Sequence, residues 1–253
     1  MKKILYPTLA VVIFLIMQFV SGLLYAMFQV GNIAWYVMLS SVATVAILYC
    51  LHMFAWGKSF NVSSVNWCAG IVGIVAAAFG VASLDIAEEL MELSDLMQDT
   101  FIEMSSTIEG ALCIAVVAPL AEEIVFRECL LGQLLRNGTN RWIAIIASSL
   151  MFGIIHLNPI QIPFATAMGI ILSVIYYKTG NIVLTSIIHI LNNGAAVLQM
   201  RCLGEDAVDF RLTDWFGGIT VSVLYAVAAM VVCVVMLRMF WKTYKNKKYE
   251  TVY

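Results

Sequence analysis

Two adjacent glutamates, Glu122 and Glu123, lie in the middle of an apolar stretch, residues 111–135, that is long enough to cross a bilayer. Arg127 follows four residues after the second glutamate. Ionisable side chains are costly at that depth and are normally kept there for function, so this segment is predicted to hold a functional site. Glu123 and Arg127 share one helix face and suit an ion pair. Glu122 points elsewhere, about 100° around the helix, and has no counter-ion in its own helix.

Polar side chains with complementary chemistry occur in two later apolar segments. His156 lies four residues after Phe152, and His189 lies four residues before Asn193, so each pair shares one helix face. A carboxylate can take a proton, imidazoles can polarise water or bind a metal, and an amide can donate to a developing oxyanion. Together with Glu122, these residues predict a site that activates water inside the membrane.

Each of these residues also has a structural explanation. A buried histidine often links helices through a hydrogen bond, and a single Glu–Arg pair can pin two helices together. The convergence of two acids, an arginine, two histidines and an asparagine weakens the separate structural explanations.

The composition assigns the chain to the membrane. It is 62% hydrophobic and 12% charged, against roughly 45–50% and 25% for a soluble domain. The net charge of −2 argues against nucleic acid as a partner. Six cysteines without a CxxC spacing are expected to be apolar fillers in helices. The whole chain, residues 1–253, is therefore predicted to be a single all-α integral-membrane domain.

About eight transmembrane helices around an intramembrane catalytic cavity are predicted, because about 20 apolar residues cross the hydrocarbon layer. The predicted spans are 4–29, 33–56, 67–87, 111–135, 141–157, 161–178, 182–200 and 215–241. Most lysines and arginines fall in alternate loops, which places both termini in the cytoplasm. Residues 85–109 hold eight acids and no base and are predicted to lie outside as an amphipathic helix. We expect this helix to be a solvated connector rather than a segment that recruits substrate.

The three motifs resemble the signatures of the CPBP family, which includes type II CAAX prenyl endopeptidases and bacterial Abi or bacteriocin-immunity-type membrane proteases. The motifs are Glu122-Glu123-x-x-x-Arg127, Phe152-x-x-x-His156 and His189-x-x-x-Asn193, in that order on separate helices. The resemblance covers about residues 111–200. One departure is Glu128, where many family members have glycine after the arginine.

The resemblance also implies a role for each site residue. Glu122 becomes the general base for water, assisted by His156. His189 and Asn193 become the groups that stabilise the tetrahedral oxyanion. Glu123 and Arg127 become the pair that orders the site.

The resemblance leaves the metal question open. The chain lacks HExxH, but Glu122, His156 and His189 can supply three zinc ligands. A glutamate mechanism without a metal is equally compatible with these residues.

The sequence therefore predicts an intramembrane endopeptidase that acts on a membrane-associated peptide or protein, within membrane lipid. The alternative is a non-catalytic immunity protein or peptide-binding scaffold that uses the same cavity. An ion-coupled transporter would also bury glutamate, arginine and histidine, but it predicts internal repeats with broken helices, which this sequence does not show.

Overall fold

The computed structural model describes residues 2–207 and 210–244, and these residues contain helices and no strand. The longer helices are α1 (Lys2–Phe28), α2 (Ile33–Cys50), α3 (Trp67–Leu90), α4 (Gln98–Ser106), α5 (108–136), α6 (Arg141–Ile154), α7 (Gln161–Thr179), α8 (Val183–Leu203) and α9 (Ile219–Thr243). Short helical turns at Trp56–Ser59, Val62–Ser64, Gly204–Ala207 and Leu212–Trp215 connect some of them.

Six helices, α1 to α3 and α7 to α9, are each long and apolar enough to cross a bilayer. This confirms an all-α, polytopic membrane protein. The other two predicted spans correspond to α5, which carries the charged motif, and to α6, which has only 14 residues. The assignment of residues 1–253 to a single domain stays a prediction.

Three predicted boundaries are wrong. Helix α2 ends at Cys50 rather than at residue 56, because the chain turns at His52, whose φ is 55°. The acidic segment is not one helix: α3 runs to Leu90, a connector with Glu92 at φ 50° follows, and α4 begins at Gln98. Helix α6 ends at Ile154, so His156 lies in the turn after the helix.

Short polar residues fix where several helices begin. Asn32, Asn66 and Asn140 each precede a helix, and each side-chain oxygen accepts a backbone N–H of the first turn. Such caps satisfy donors that the helix itself leaves unpaired. Helix α7 ends at Gly180, which has a left-handed φ of 65°.

Helix α5 is wider than an α-helix in two places. Residues Cys113–Val117 and Glu123–Leu131 form π-helical turns, separated by the α-helical turn Ala118–Glu122. Pro119 lies in that turn and has no N–H to donate to the preceding turn. Wide turns of this kind often mark functional sites. The second one begins at Glu123, within the charged motif.

Small residues let the helices around the site approach closely. A side chain at Gly153 would collide with Thr166, and one at Gly169 would press on Phe152 and Ser149. The hydroxyls of Ser149 and Ser173 lie 3.3 Å apart and link α6 to α7. Close packing of this kind is how transmembrane helices associate in the absence of a hydrophobic driving force between them.

Candidate active site

His189 on α8 meets both glutamates of α5. Its Nδ1 lies 3.0 Å from Glu123 Oε1, and its Nε2 lies 3.6 Å from Glu122 Oε2. The His189 side chain is 6% exposed, Glu123 is fully buried, and Glu122 is 14% exposed. The imidazole therefore separates the two carboxylates, with one on each ring nitrogen.

Arg127 contacts the carboxylate oxygen of Glu123 that His189 does not contact. Its Nε lies 3.4 Å from Glu123 Oε2, and both side chains are fully buried. The guanidinium carbon also lies 4.3 Å from the centre of the Phe152 ring, which is a cation–π contact. Among the described residues, the three guanidinium nitrogens have no hydrogen-bond acceptor with good geometry, and Glu123 Oε2 has no donor. The predicted ion pair is thus present as a long contact. The Arg127 guanidinium and one oxygen of Glu123 can still form hydrogen bonds.

The Phe152 ring lies between the two histidines. His156 and His189 both meet it edge to face, with ring centres 5.1 and 5.7 Å away. His156 Nδ1 lies 2.7 Å from the Phe152 carbonyl. Because a carbonyl only accepts, Nδ1 carries the hydrogen and Nε2 of His156 is left as an acceptor. The two histidines lie on the same side of the bundle, with one phenylalanine ring between them.

Asn193 reaches α5 one turn beyond His189. Its Nδ2 donates to the Ile114 carbonyl at 3.1 Å, and its Oδ1 accepts from Asn192 Nδ2 at 3.0 Å. An amide nitrogen carries two hydrogens, so one stays available for a substrate oxygen. The contact with the Ile114 carbonyl could not be predicted from the sequence, because backbone acceptors follow only from the three-dimensional arrangement.

Asn158 anchors the chain just after His156. It is fully buried, and its Nδ2 donates to Asp95 Oδ1 at 2.7 Å while its Oδ1 accepts the Leu96 N–H at 3.0 Å. These bonds tie the acidic connector between α3 and α4 to the turn that carries His156. Asn158 could not be identified from the sequence, because its partners lie 62 to 63 positions away and local spacing gives no signal for such a pairing.

Glu128 does not join the site. Its Oε1 accepts from Arg136 Nη1 at 2.9 Å, and its Oε2 accepts from the Tyr176 hydroxyl at 2.7 Å. Glu128 is therefore paired with a basic residue nearer the end of the helix. The Glu128 carboxylate links α5 to α7 outside the candidate site.

The proposed zinc ligands do not form a metal-binding group in this arrangement. Within residues 2–207 and 210–244, no three His, Cys, Asp or Glu side chains are arranged to hold a metal ion. Glu122 and Glu123 lie on opposite nitrogens of His189, so they cannot share one ion with it. A zinc site at Glu122, His156 and His189 would need these side chains to move together, and it stays a prediction.

The convergence of Glu122 and Glu123 on one ring differs from the expectation that they serve separate neighbours. Both glutamates have α-helical backbone angles, so their side chains diverge as the spacing predicts. They meet one ring because an imidazole presents two nitrogens on different edges and can contact two diverging side chains at once.

Comparisons with known proteins point to one family. Residues 105–195 match the family described as type II CAAX prenyl endopeptidase Rce1-like. The chain is 37% identical over 90 residues to the membrane-embedded CAAX protease MroQ of Staphylococcus aureus, covering 34% of this chain and 36% of MroQ. It is 33% identical over 85 residues to the candidate membrane peptidase YdiL of Bacillus subtilis, covering 34% of each chain.

A third relative is more distant but matches over more of its length. The protein YxdF of Lactococcus lactis is 24% identical over 160 residues, which cover 56% of this chain and 85% of YxdF. The chain thus spans about a third of the length of MroQ and YdiL, the first two relatives. No solved structure matches the chain.

The matched segment contains Glu122, Glu123, Arg127, His156, His189 and Asn193. It also contains the whole of α6 and α7 and the second wide turn of α5. Residues 105–195 of this membrane protein are therefore similar to the Rce1-like CAAX prenyl endopeptidase family.

Proposed function

We propose that this protein is an intramembrane endopeptidase that hydrolyses a peptide bond of a membrane-associated peptide or protein, with Glu122 as the general base. The observation that carries the proposal is the approach of Glu122 Oε2 to His189 Nε2, 3.6 Å apart in a largely buried site. The match of residues 105–195 to the Rce1-like CAAX prenyl endopeptidase family supports the same reaction class.

A single water can bridge these two atoms from one side. Two polar atoms 3.6 Å apart can both contact one water at about 2.8 Å, a normal hydrogen-bond length. Glu122 Oε2 is buried and has no hydrogen-bond partner among the described residues. A buried carboxylate oxygen normally has a partner, and a reacting water would supply one.

Glu122 takes one proton as the oxygen of this water bonds to the carbonyl carbon of the substrate. The tetrahedral intermediate then breaks its C–N bond, and Glu122 returns the proton to the departing amine. General base catalysis of this kind contributes roughly 10²–10⁴-fold. The resemblance assigns His156 to assist this proton transfer, and its Nε2 is left as an acceptor. Because the Phe152 ring lies between His156 and His189, His156 would have to turn towards the water to take part.

Glu123 orients His189 for its part in the reaction. A carboxylate paired with Arg127 accepts the Nδ1–H of His189, which turns Nε2 towards Glu122. If His189 carries a second proton, Glu123 stabilises its positive charge and Nε2–H can donate to the oxyanion. The second hydrogen of the Asn193 amide would donate to the same oxygen.

The decisive experiment compares Glu122→Gln with a matched control, Glu103→Gln, on an exposed acid of α4. Purified protein would be incubated with fluorogenic membrane-associated peptides, both prenylated and unprenylated. We expect Glu122→Gln to lower hydrolysis by about 10²–10⁴-fold and to keep its fold, because a neutral amide is easier to bury than a carboxylate. Full activity of Glu122→Gln would refute the assignment of the base. Tight peptide binding without hydrolysis by the unmutated protein would favour the non-catalytic scaffold instead.

A chelator test addresses the zinc alternative. If Glu122 works without a metal, dialysis against a chelator should leave the rate of peptide hydrolysis unchanged. A loss of activity that Zn²⁺ restores would show that Glu122, His156 and His189 rearrange to bind the ion.

We also propose that both termini face the cytoplasm, with the acidic connector outside. The support is the distribution of lysine and arginine over alternate loops. A membrane-impermeant thiol reagent added to intact cells should label Asp95→Cys and should not label Lys58→Cys. The reverse pattern would invert the orientation.

A further inference from the structure

Several helix ends meet at one face of the bundle. Gln133 on α5 donates to the Met53 carbonyl at 3.1 Å, and Asn181 before α8 donates to the Ser64 hydroxyl at 2.9 Å. Within residues 2–207 and 210–244, this face carries six basic side chains, and we call it the basic face. They are Lys58, Arg136, Arg141, Lys178, Arg238 and Lys242. Among the described residues, the acid at this face is Glu128, which already binds Arg136.

Stacked aromatic rings organise the basic face where α6 begins and where α7 and α9 end. Trp241 lies between Trp142 and Tyr177, with ring centres 6.3 and 5.4 Å away and interplanar angles of 11° and 14°. The guanidinium carbon of Arg141 lies 5.5 to 5.9 Å from the centres of all three rings. Lys178 Nζ lies 4.6 Å from the centre of the Trp241 ring. Cationic groups are thus held against aromatic faces by the fold.

An apolar groove on α9 leads to the same place. It has a volume of about 330 Å³ and is lined by Val227, Met230, Val231, Val234, Val235 and Arg238. Val227 and Val231 are more than half exposed, so the groove opens towards the lipid. Arg238 closes one end, and Trp241 lies three residues further along the same helix, next to it on the helix surface.

Arg141 and Arg238 are available to bind an anion. Within the described residues, neither arginine has an ion pair with an acid, in contrast to Arg127 and Arg136. A guanidinium that rests on aromatic rings keeps its N–H edge free for a planar or tetrahedral anion. The basic face therefore combines a lipid-facing apolar channel with cations at its mouth.

We propose that this groove binds an anionic phospholipid, with an acyl chain along Val227 to Val235 and its phosphate at Arg238 and Arg141. The apolar lining selects a hydrocarbon chain, and the two unpaired arginines select a negatively charged headgroup. Clusters of basic residues at the cytoplasmic ends of helices attract anionic lipids, with roughly a fivefold gain in affinity per residue. The site is remote from Glu122 and does not depend on catalysis.

Native mass spectrometry of the purified protein tests the proposal. The detergent-solubilised chain would be titrated with phosphatidylglycerol, with phosphatidylcholine and, separately, with inorganic phosphate. The variants are Arg238→Gln, Arg141→Gln, their combination, and Arg211→Gln as a matched control at an exposed arginine before α9. A fifth variant, Val231→Trp, fills the apolar groove without changing charge.

We expect the unmutated protein to retain phosphatidylglycerol in preference to phosphatidylcholine. Each arginine substitution should lower the affinity for phosphatidylglycerol about fivefold, and Arg211→Gln should not change it. Val231→Trp should weaken the binding of both lipids. Equal retention of the two lipids, or an unchanged preference in the double variant, would overturn the proposal. Inorganic phosphate that binds at Arg238 while lipid does not would show a phosphate site instead of a lipid site.

Discussion

Two carboxylates in the same wide turn of α5 differ in how completely their oxygens are hydrogen-bonded. Glu128 accepts hydrogen bonds from Arg136 and Tyr176 at 2.9 and 2.7 Å. Glu123, five residues earlier, is fully buried, lies 3.4 Å from Arg127, and leaves one oxygen without a donor among the described residues. The two acids lie in the same helical segment, yet both oxygens of Glu128 accept hydrogen bonds and one oxygen of Glu123 does not.

This difference separates a structural acid from an acid in a reactive site. The bonds of Glu128 join α5 to α7 and leave nothing for a ligand. Glu123 instead shares its charge between Arg127 and His189, and thereby fixes which nitrogen of His189 faces Glu122. Unsatisfied polar atoms are costly in a membrane interior, so a site that keeps them has a use for them.

The largest effect is expected when Glu123 loses its charge. Glu123→Gln leaves Arg127 uncompensated in the bundle, which should cost about 3–5 kcal/mol of stability. Peptide hydrolysis should fall as well, because His189 loses the partner that orients it. Thermal unfolding in detergent and hydrolysis rates would be measured side by side. A Glu123→Gln protein that is more stable but wholly inactive would exchange the roles of Glu122 and Glu123.

Removing both charges separates stability from activity. The double variant Glu123→Gln with Arg127→Met leaves neither member of the buried pair as an uncompensated charge, so its unfolding temperature should return most of the way to that of the unmutated protein. Its hydrolysis rate should stay low, since the orientation of His189 is still lost. A double variant with restored activity would show that the pair has no part in positioning His189.

A smaller effect is expected at Glu128. Glu128→Gln removes the charge that Arg136 binds but keeps the shape, and Arg136 is 36% exposed, so water can replace part of the interaction. We expect a loss of about 1–2 kcal/mol in stability and a hydrolysis rate close to that of the unmutated protein. A large loss of activity without loss of stability would place Glu128 in the reactive site. It would contradict the assignment of Glu128 as a structural acid.

The smallest effect is expected at Tyr176. Tyr176→Phe removes one hydrogen bond to Glu128 and leaves the contact with Arg136, which should cost about 1 kcal/mol. The unfolding temperature should fall slightly, and peptide hydrolysis should not change. A greater loss than that of Glu128→Gln would mean that the hydroxyl, rather than the ion pair, holds α5 to α7.

Local spacing predicted the parts of the site that depend on one helix. The ion pair of Glu123 and Arg127 follows from their separation of four residues, and the match of most helices to apolar runs follows from length. Apolar length could not locate the end of α2, because the turn at His52 requires a left-handed backbone rather than a polar residue. The break in the acidic segment escaped prediction for the same reason.

Contacts between helices could not be predicted in detail. The bridge from His189 to both glutamates depends on how α8 lies against α5, which the spacing within each motif does not specify. The bond from Asn193 to the Ile114 carbonyl and the bond from Asn158 to Asp95 join residues far apart in sequence. With one sequence, only the resemblance to a family placed these residues together.

The wide turn at Glu123–Leu131 has a consequence for insertions and deletions. A hydrogen bond that spans five residues encloses one residue more than the α-helical bond, so loss of a single residue would let ordinary α-helical bonds close. The helix would survive, and the segment beyond the deletion would keep nearly the same rotational phase relative to Glu122, because the wide turn is what takes up the extra residue. The same deletion in the α-helical turn Ala118–Glu122 would instead rotate everything beyond it by about 100° relative to the segment before it. The wide turn is therefore the part of α5 in which the chain can lose one residue while the two halves of the helix keep their relative orientation.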